Sequence, residues 1–249
     1  MPVLFRPAPP RPAGGALGAG GAAPRAPGSV PRPMPTLPPL AALVPALRAR
    51  LAAPLPGHAA HAEMAPFPAR ATVETLSTEL NEGRPAATLV LLYPGPGGEA
   101  RVVLTVRQAS LKKHGGQVSL PGGSLDAGET PEDAARREAW EEVGVDPAAP
   151  DVLGRLTPLY IPPSRFSVWP VVAALGRRPP FRPQEAEVAA LVEAEVAALL
   201  DPARRRRSRR DAPLGTFDVP YFDLGGREVW GATAMMLAEF AAVVAEATG

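Results

Sequence analysis

The chain of 249 residues has no cysteine, which excludes disulfides, zinc–thiolate sites and a thiol nucleophile. Aromatic residues make up only 5% of it, and lysine occurs only at positions 112 and 113. No uninterrupted apolar run approaches the roughly 18 residues needed to span a bilayer. The start lacks a charged residue leading into an apolar stretch of about 7–15 residues, so no secretory leader is expected. Arginine-bearing, acid-poor starts can mark organelle transit peptides. Prolines at 7, 9, 10 and 12 oppose the amphipathic helix that such a segment needs.

Proline is in excess instead, at 34 residues, half of them within 1–70. A single fold cannot place so many in helices and strands. Charge divides at the same place. Residues 1–60 carry six arginines and no acid, whereas residues 61–249 carry 20 basic and 25 acidic residues. The formal net charge of +1 is therefore a basic start offset by an acidic body, which does not suit a general nucleic-acid binder. The expectation is a disordered Pro/Ala/Gly-rich extension over 1–60 and one domain over 65–249, long enough for a real core.

Short helices fit 39–52, interrupted at Pro45, and 72–80. The body then alternates. ATLVLLY at 87–93 and RVVLTVR at 101–107 flank a PGPGGE turn and read as a hairpin. Short strands fit 117–120, 152–160 and 167–174, with a second hairpin around Gly225-Gly226. The apolar spacing of Met236, Leu237, Phe240, Val243, Val244 and Ala247 predicts a closing helix over 232–247. The run RRRRSRR at 204–210 is either a phosphate or nucleic-acid patch or a solvated, partly disordered loop, and the absence of interleaved aromatic residues to stack bases favours the loop. EAEVAALVEAEVAALL at 185–200 has the period of one long helix.

The clearest helix covers 131–143. Thr130 is a good N-cap, Pro131 suits the first helical position, Asp133 completes a capping box, and Gly144 sits at the stop. Glu138, Glu141 and Glu142 share one face at i, i+3, i+4 spacing. They repel one another and lie in the half of the helix where the macrodipole disfavours anions. Either the face is simply solvated, or a hard cation such as Mg2+ or Mn2+ sits among these oxygens.

The surrounding residues bear on this choice. Gly123, five residues, Glu129, seven residues, then Arg137-Glu138-Ala139-Trp140-Glu141-Glu142-Val143-Gly144-Val145 resembles the Nudix box at every fixed position. Ala139 is a small occupant of its aliphatic slot. The resemblance implies an α/β Nudix fold, a mixed β-sheet sandwiched between helices (α/β/α), whose loop–helix–loop binds divalent metal and hydrolyses a nucleoside diphosphate derivative. Glu138, Glu141 and Glu142 would ligate Mg2+ or Mn2+ with the Gly122 carbonyl. Arg137 would orient Glu138 or pair with Glu129. The general base would be Glu141 or Glu142, or an acid on a later loop, for which Glu185 and Glu187 lie in the right region.

A second block is similar to that of the coenzyme A pyrophosphatases within the superfamily. It comprises Arg107, Leu111, His114-Gly115-Gly116-Gln117-Val118 and Pro121-Gly122-Gly123, with Leu120 where Phe is usual and Gln108 where a small hydroxyl residue is usual. Stretches at 154–173, 187–202 and 229–237 fit the same group. The resemblance overrides the periodicity at 185–200 and implies a strand near 188–193 followed by a helical turn. Arg107, Lys112, Lys113, His114 and Gln117 become the substrate-binding candidates, and Phe166 and Trp230 are either adenine-stacking or core residues. The implied partner is a small CoA-like nucleotide, with no nucleic acid and no membrane, a homodimer being allowed, in a cytoplasmic setting. The alternatives are a hydrolase of ADP-ribose or NADH, and a silent ligand-binding module of the same fold.

Overall fold

The computed structural model describes residues 34–66, 83–110, 115–212 and 215–249. The expected helix at 72–80 and the candidates Lys112, Lys113 and His114 lie outside these residues.

The apolar run that opens the body forms β1 (Arg84–Pro94), the centre of the molecule. Its side chains alternate between two cores. Ala87, Leu89, Leu91 and Tyr93 face one, and Ala86, Val90 and Leu92 face the other. Burial on both faces explains why β1 reads as continuous apolar sequence. β2 (Ala100–Arg107), β3 (Val118–Ser119), β4 (Gly122–Ser124), β5 (Asp151–Arg155), β6 (Leu159–Ile161), β7 (Phe166–Ala174) and β8 (Val188–Glu195) complete the sheet. β1 and β7 run parallel and the other pairs antiparallel, so the sheet is mixed.

Helix α3 (Pro131–Val143) covers one face, and α1 (Leu40–Leu51) and the last helix, α5 (Gly231–Thr248), cover the other. The short α2 (His58–Glu63) packs on α5, and α4 (Ala197–Leu200) follows β8. β8 and α4 occupy 188–200 as a strand and a helical turn rather than one long helix. Tertiary pairing of β8 with β2 overrides the helical propensity of Ala and Glu. Helix α5 is long and apolar enough to cross a membrane by length and composition, but 61% of it is buried inside the fold. An all-round apolar helix in this position is a core helix.

Two expectations change. Residues 40–60 are not outside the fold. Leu40, Leu43, Leu47 and Leu51 of α1 are buried in the larger core, and Pro45 lies within the helix without ending it. The helical period puts these leucines on one face, which composition alone obscures. A buried polar knot secures the same region. The Glu239 carboxylate of α5 is fully enclosed and accepts from Gly57 N at 3.0 Å, Thr157 N at 3.0 Å and Thr157 Oγ1 at 2.6 Å, with His61 Nε2 at 2.9 Å. Nothing in the local sequence marks Glu239, because its partners come from two distant segments.

The arginine run, expected to be a loop, forms the strand β9 (Arg205–Ala212) of a second sheet with β10 (Gly215–Leu224) and β11 (Arg227–Trp230). Its charges meet acids: Arg205 with Glu63, Arg206 with Asp223, Arg209 with Asp218, and Arg210 with Glu228. Such neighbours reduce the field a nucleic acid would need.

Leu47→Ala should destabilise the protein by about 2–5 kcal/mol in urea denaturation, the usual cost of a core Leu truncation. A chain beginning at residue 65 should melt well below the full chain. Equal midpoints would mean that α1 is dispensable to the core.

Candidate active site

Helix α3 forms where its end signals place it. Thr130 Oγ1 accepts from Asp133 N at 3.2 Å, and Pro131 occupies the first turn. Gly144 ends the helix in the left-handed conformation at φ 73°. Ala134, Ala135, Ala139 and Val143 pack on the sheet. Glu142 shares this buried face at 4% exposure. Its carboxylate lies 3.3 Å from Thr105 Oγ1 and 3.5 Å from Gly122 N, both poor distances for hydrogen bonds. Burial pushes its pKa up to about 7, against the opposing influence of the Gly122 N–H and the Arg107 charge. Burial likewise raises the pKa of Glu138, while Arg137 opposes the shift.

Arg137 ties the preceding loop to the helix. Its guanidinium grips Glu129 with two bonds of 2.8 and 3.0 Å, donates to Glu138 Oε1 at 2.9 Å and donates to the Ser124 carbonyl at 2.9 Å. Both expected partners, Glu138 and Glu129, are therefore engaged. The Arg137 bond holds the Glu129 carboxyl below the usual carboxylate range. Glu138 lies so close to the loop that a Cβ at Gly123 would stand 2.3 Å from its Oε1, so a side chain here would push the Glu138 carboxylate from its place.

A cavity of about 270 Å3 is lined by Glu138, Glu141, Glu142, Gln184 and Glu187. The helix supplies three acids, and Glu187 reaches the cavity on the segment before β8. That segment docks on the helix end: Arg182 N donates to the Val143 carbonyl at 2.8 Å and Gln184 N to the Glu142 carbonyl at 2.9 Å. These carbonyls belong to the last turn, which has no partners within the helix. Glu185 does not line the cavity. The charge of Arg107 reaches Glu142, and Arg107 N donates to the Gln117 carbonyl at 2.9 Å.

The donor set is all oxygen on the acid side, which fits a hard divalent cation. Among the described residues no three of these acids meet at a point as a formed metal centre; they line a shared cavity. The two aromatic candidates each carry a guanidinium on a ring face, Arg84 over Phe166 at 4.4 Å and Arg210 over Trp230 at 4.1 Å. Gln184 and Thr105 are parts of the site's surroundings that sequence reasoning missed, because no motif marks them and the groups that bring them to the site are distant in the chain. Gln108 stood in the second block only as a departure from its usual residue, with no role attached.

The NUDIX domain model matches residues 83–212. Nudix hydrolase 15, mitochondrial, of Arabidopsis thaliana is 34% identical over 70% of this chain and 64% of its own length. A protein named uncharacterized Nudix hydrolase NudL, of Cronobacter sakazakii, is 37% identical over 68% of this chain and 86% of its own length. The chain thus spans less than two thirds of the plant relative. A solved Nudix hydrolase from M. smegmatis, RenU, is 32% identical, covering 48% of this chain and 75% of its own, with a TM-score of 0.38.

The raised pKa of Glu142 has a consequence for stability. In the folded state this carboxyl keeps its proton to a higher pH than in the unfolded chain, where the ordinary glutamate value of 4.5 applies. The folded state is therefore favoured below that value and loses stability as pH rises towards 7. With chelator present, Glu142→Gln should gain about 2–3 kcal/mol on wild type between pH 5 and pH 8. Urea denaturation at both pH values measures this, and parallel behaviour of the two proteins would contradict it.

Proposed function

The chain belongs to the Nudix family, and from that premise we propose that it hydrolyses the pyrophosphate of coenzyme A or an acyl-CoA. The products would be 3′,5′-ADP and 4′-phosphopantetheine or its acyl form. The observation that carries the reading is the single cavity where Glu138, Glu141 and Glu142 face Glu187, with Arg107 of the second sequence block beside it.

In this reading Glu138, Glu141 and Glu142, with the Gly122 carbonyl, hold Mg2+ or Mn2+. The bound cation would supply positive charge to the pyrophosphate oxygens and make a nearby water more acidic. Arg137 keeps Glu138 against the Gly123 backbone and so fixes one wall of the site. Arg107 meets a substrate phosphate, with Gln117 beside it and Lys112, Lys113 and His114 on the adjoining stretch. Glu187 faces the helix acids from another element. It takes the proton as water attacks one phosphorus and the other phosphate leaves. Glu141 and Glu142 are weaker bases once they are held to a cation. Positioning and charge, rather than a covalent intermediate, supply most of the rate. A small nucleotide is the partner in this reading, and a cytoplasmic setting suits a coenzyme substrate.

Purified protein incubated with coenzyme A, ADP-ribose or NADH, each with Mg2+ or Mn2+, should give the two expected products from coenzyme A by mass spectrometry. Faster turnover of ADP-ribose would overturn the choice of substrate. Glu142→Gln should lower metal-dependent turnover at least about 100-fold while the protein stays folded, since the charge holding the cation is gone. Mn2+ at pH 8 should raise the melting temperature of wild type more than that of Glu142→Gln.

A further inference from the structure

Glu187 sits on a short span between two anchors. At one end, Gln184 N is bonded to the last turn of α3, and the Gln184 side chain accepts from Ala186 N at 2.6 Å. At the other end stands Gln108, the residue after β2. Its N–H donates to the Glu187 carbonyl at 2.8 Å, which extends the β2–β8 pairing. Its side-chain Nε2 donates to the Glu185 carbonyl at 2.7 Å, two residues further out, where that pairing has ended.

We infer that Gln108 is a positioning residue that sets where Glu187 stands against Glu138, Glu141 and Glu142, by holding the Glu185 carbonyl. The inference rests on the reading of this cavity as the catalytic centre. Like charges on α3 push Glu187 outward. The Gln184 carbonyl holds the far side of the turn, accepting from Glu187 N at 3.0 Å and Val188 N at 2.8 Å, and the Gln108 side chain holds the Glu185 carbonyl between them. A neutral amide suits the task. Lysine or arginine here could pair with the Glu187 carboxylate and weaken it as a base, whereas Gln108 binds a main-chain carbonyl and leaves that carboxylate free. Gln108 stands where the similar subfamily block usually has a small hydroxyl residue, which is too short to span the same gap.

The full-length protein tests this in two ways. Hydrogen–deuterium exchange over 184–188 should speed up in Gln108→Ala, and also in Gln108→Glu, which keeps the shape but lacks the amide donor. Turnover is then followed with Mn2+ on whichever of coenzyme A, ADP-ribose and NADH wild type cleaves fastest. Glu187→Gln should lose about 100-fold in kcat, as removal of a general base does. Gln108→Ala should lose about tenfold in kcat with little change in KM, the mark of misplacement rather than lost binding. In the Glu187→Gln background, Gln108→Ala should have no further effect.

Unchanged exchange overturns the inference. So does a Gln108→Ala loss that adds in full to an impaired Glu187→Gln, or no loss at all, while the proposed function stands. Full activity of Glu187→Gln removes that residue from the function reading and the inference with it. No turnover of any of the three compounds sinks both.

Discussion

Enclosing the carboxyl of Glu142 between a helix and a sheet costs free energy that the surrounding groups only partly offset. The nearest polar neighbours, Thr105 Oγ1 and Gly122 N, stand at 3.3 and 3.5 Å, too far to satisfy an ionised group. The local structure is built around this conflict. Three small residues, Ala134, Ala135 and Ala139, let α3 settle on the sheet and bring Glu142 down with it. Arg137 spreads one positive charge over Glu129 and Glu138, which lowers the repulsion along the helix without reaching the buried group. What remains is negative charge directed into a cavity, and that surplus is what a cation-dependent site requires.

Stability must therefore come from elsewhere in the molecule. The two cores on either face of β1 supply it, and the larger one needs α1 from the proline-rich end of the chain. Glu239 makes an instructive contrast with Glu142. Both are buried carboxylates, but Glu239 has donors at 2.6 to 3.0 Å from Gly57 and Thr157 with His61 at 2.9 Å, so its burial joins three segments. A satisfied buried acid acts as a tie. An unsatisfied one is a site in waiting.

Much of this was legible in the sequence wherever the cause is local. Thr130, Pro131, Asp133 and Gly144 bound the helix by short-range bonds, and the structure keeps both ends. The spacing of Glu138, Glu141 and Glu142 put them on one face before any fold was known. Legibility ended where a partner lies far along the chain. The Leu40, Leu43, Leu47 and Leu51 face was hidden inside a composition that suggested an extension. Nothing close to the arginine run shows that it is a strand, because the acids that pair with it, Glu63, Asp218, Asp223 and Glu228, come from three separate elements. At 185–200 the helical period was real but irrelevant, because pairing with β2 decided the outcome.

Gly144 shows how a motif position can carry two physical reasons when the sequence displays only one. Read locally, it stops the helix, since φ of 73° is easy for glycine. Asparagine also tolerates that conformation, so the local reason alone leaves a choice open. The tertiary reason closes it. Any Cβ here would stand 2.9 Å from the Cβ of Arg182, on the segment that brings Glu187 to the cavity. The glycine at the end of the acidic helix thus gives a distant loop room to dock against the helix's free carbonyls. The stop signal of α3 and the placement of the fourth acid are in this way one requirement on the chain.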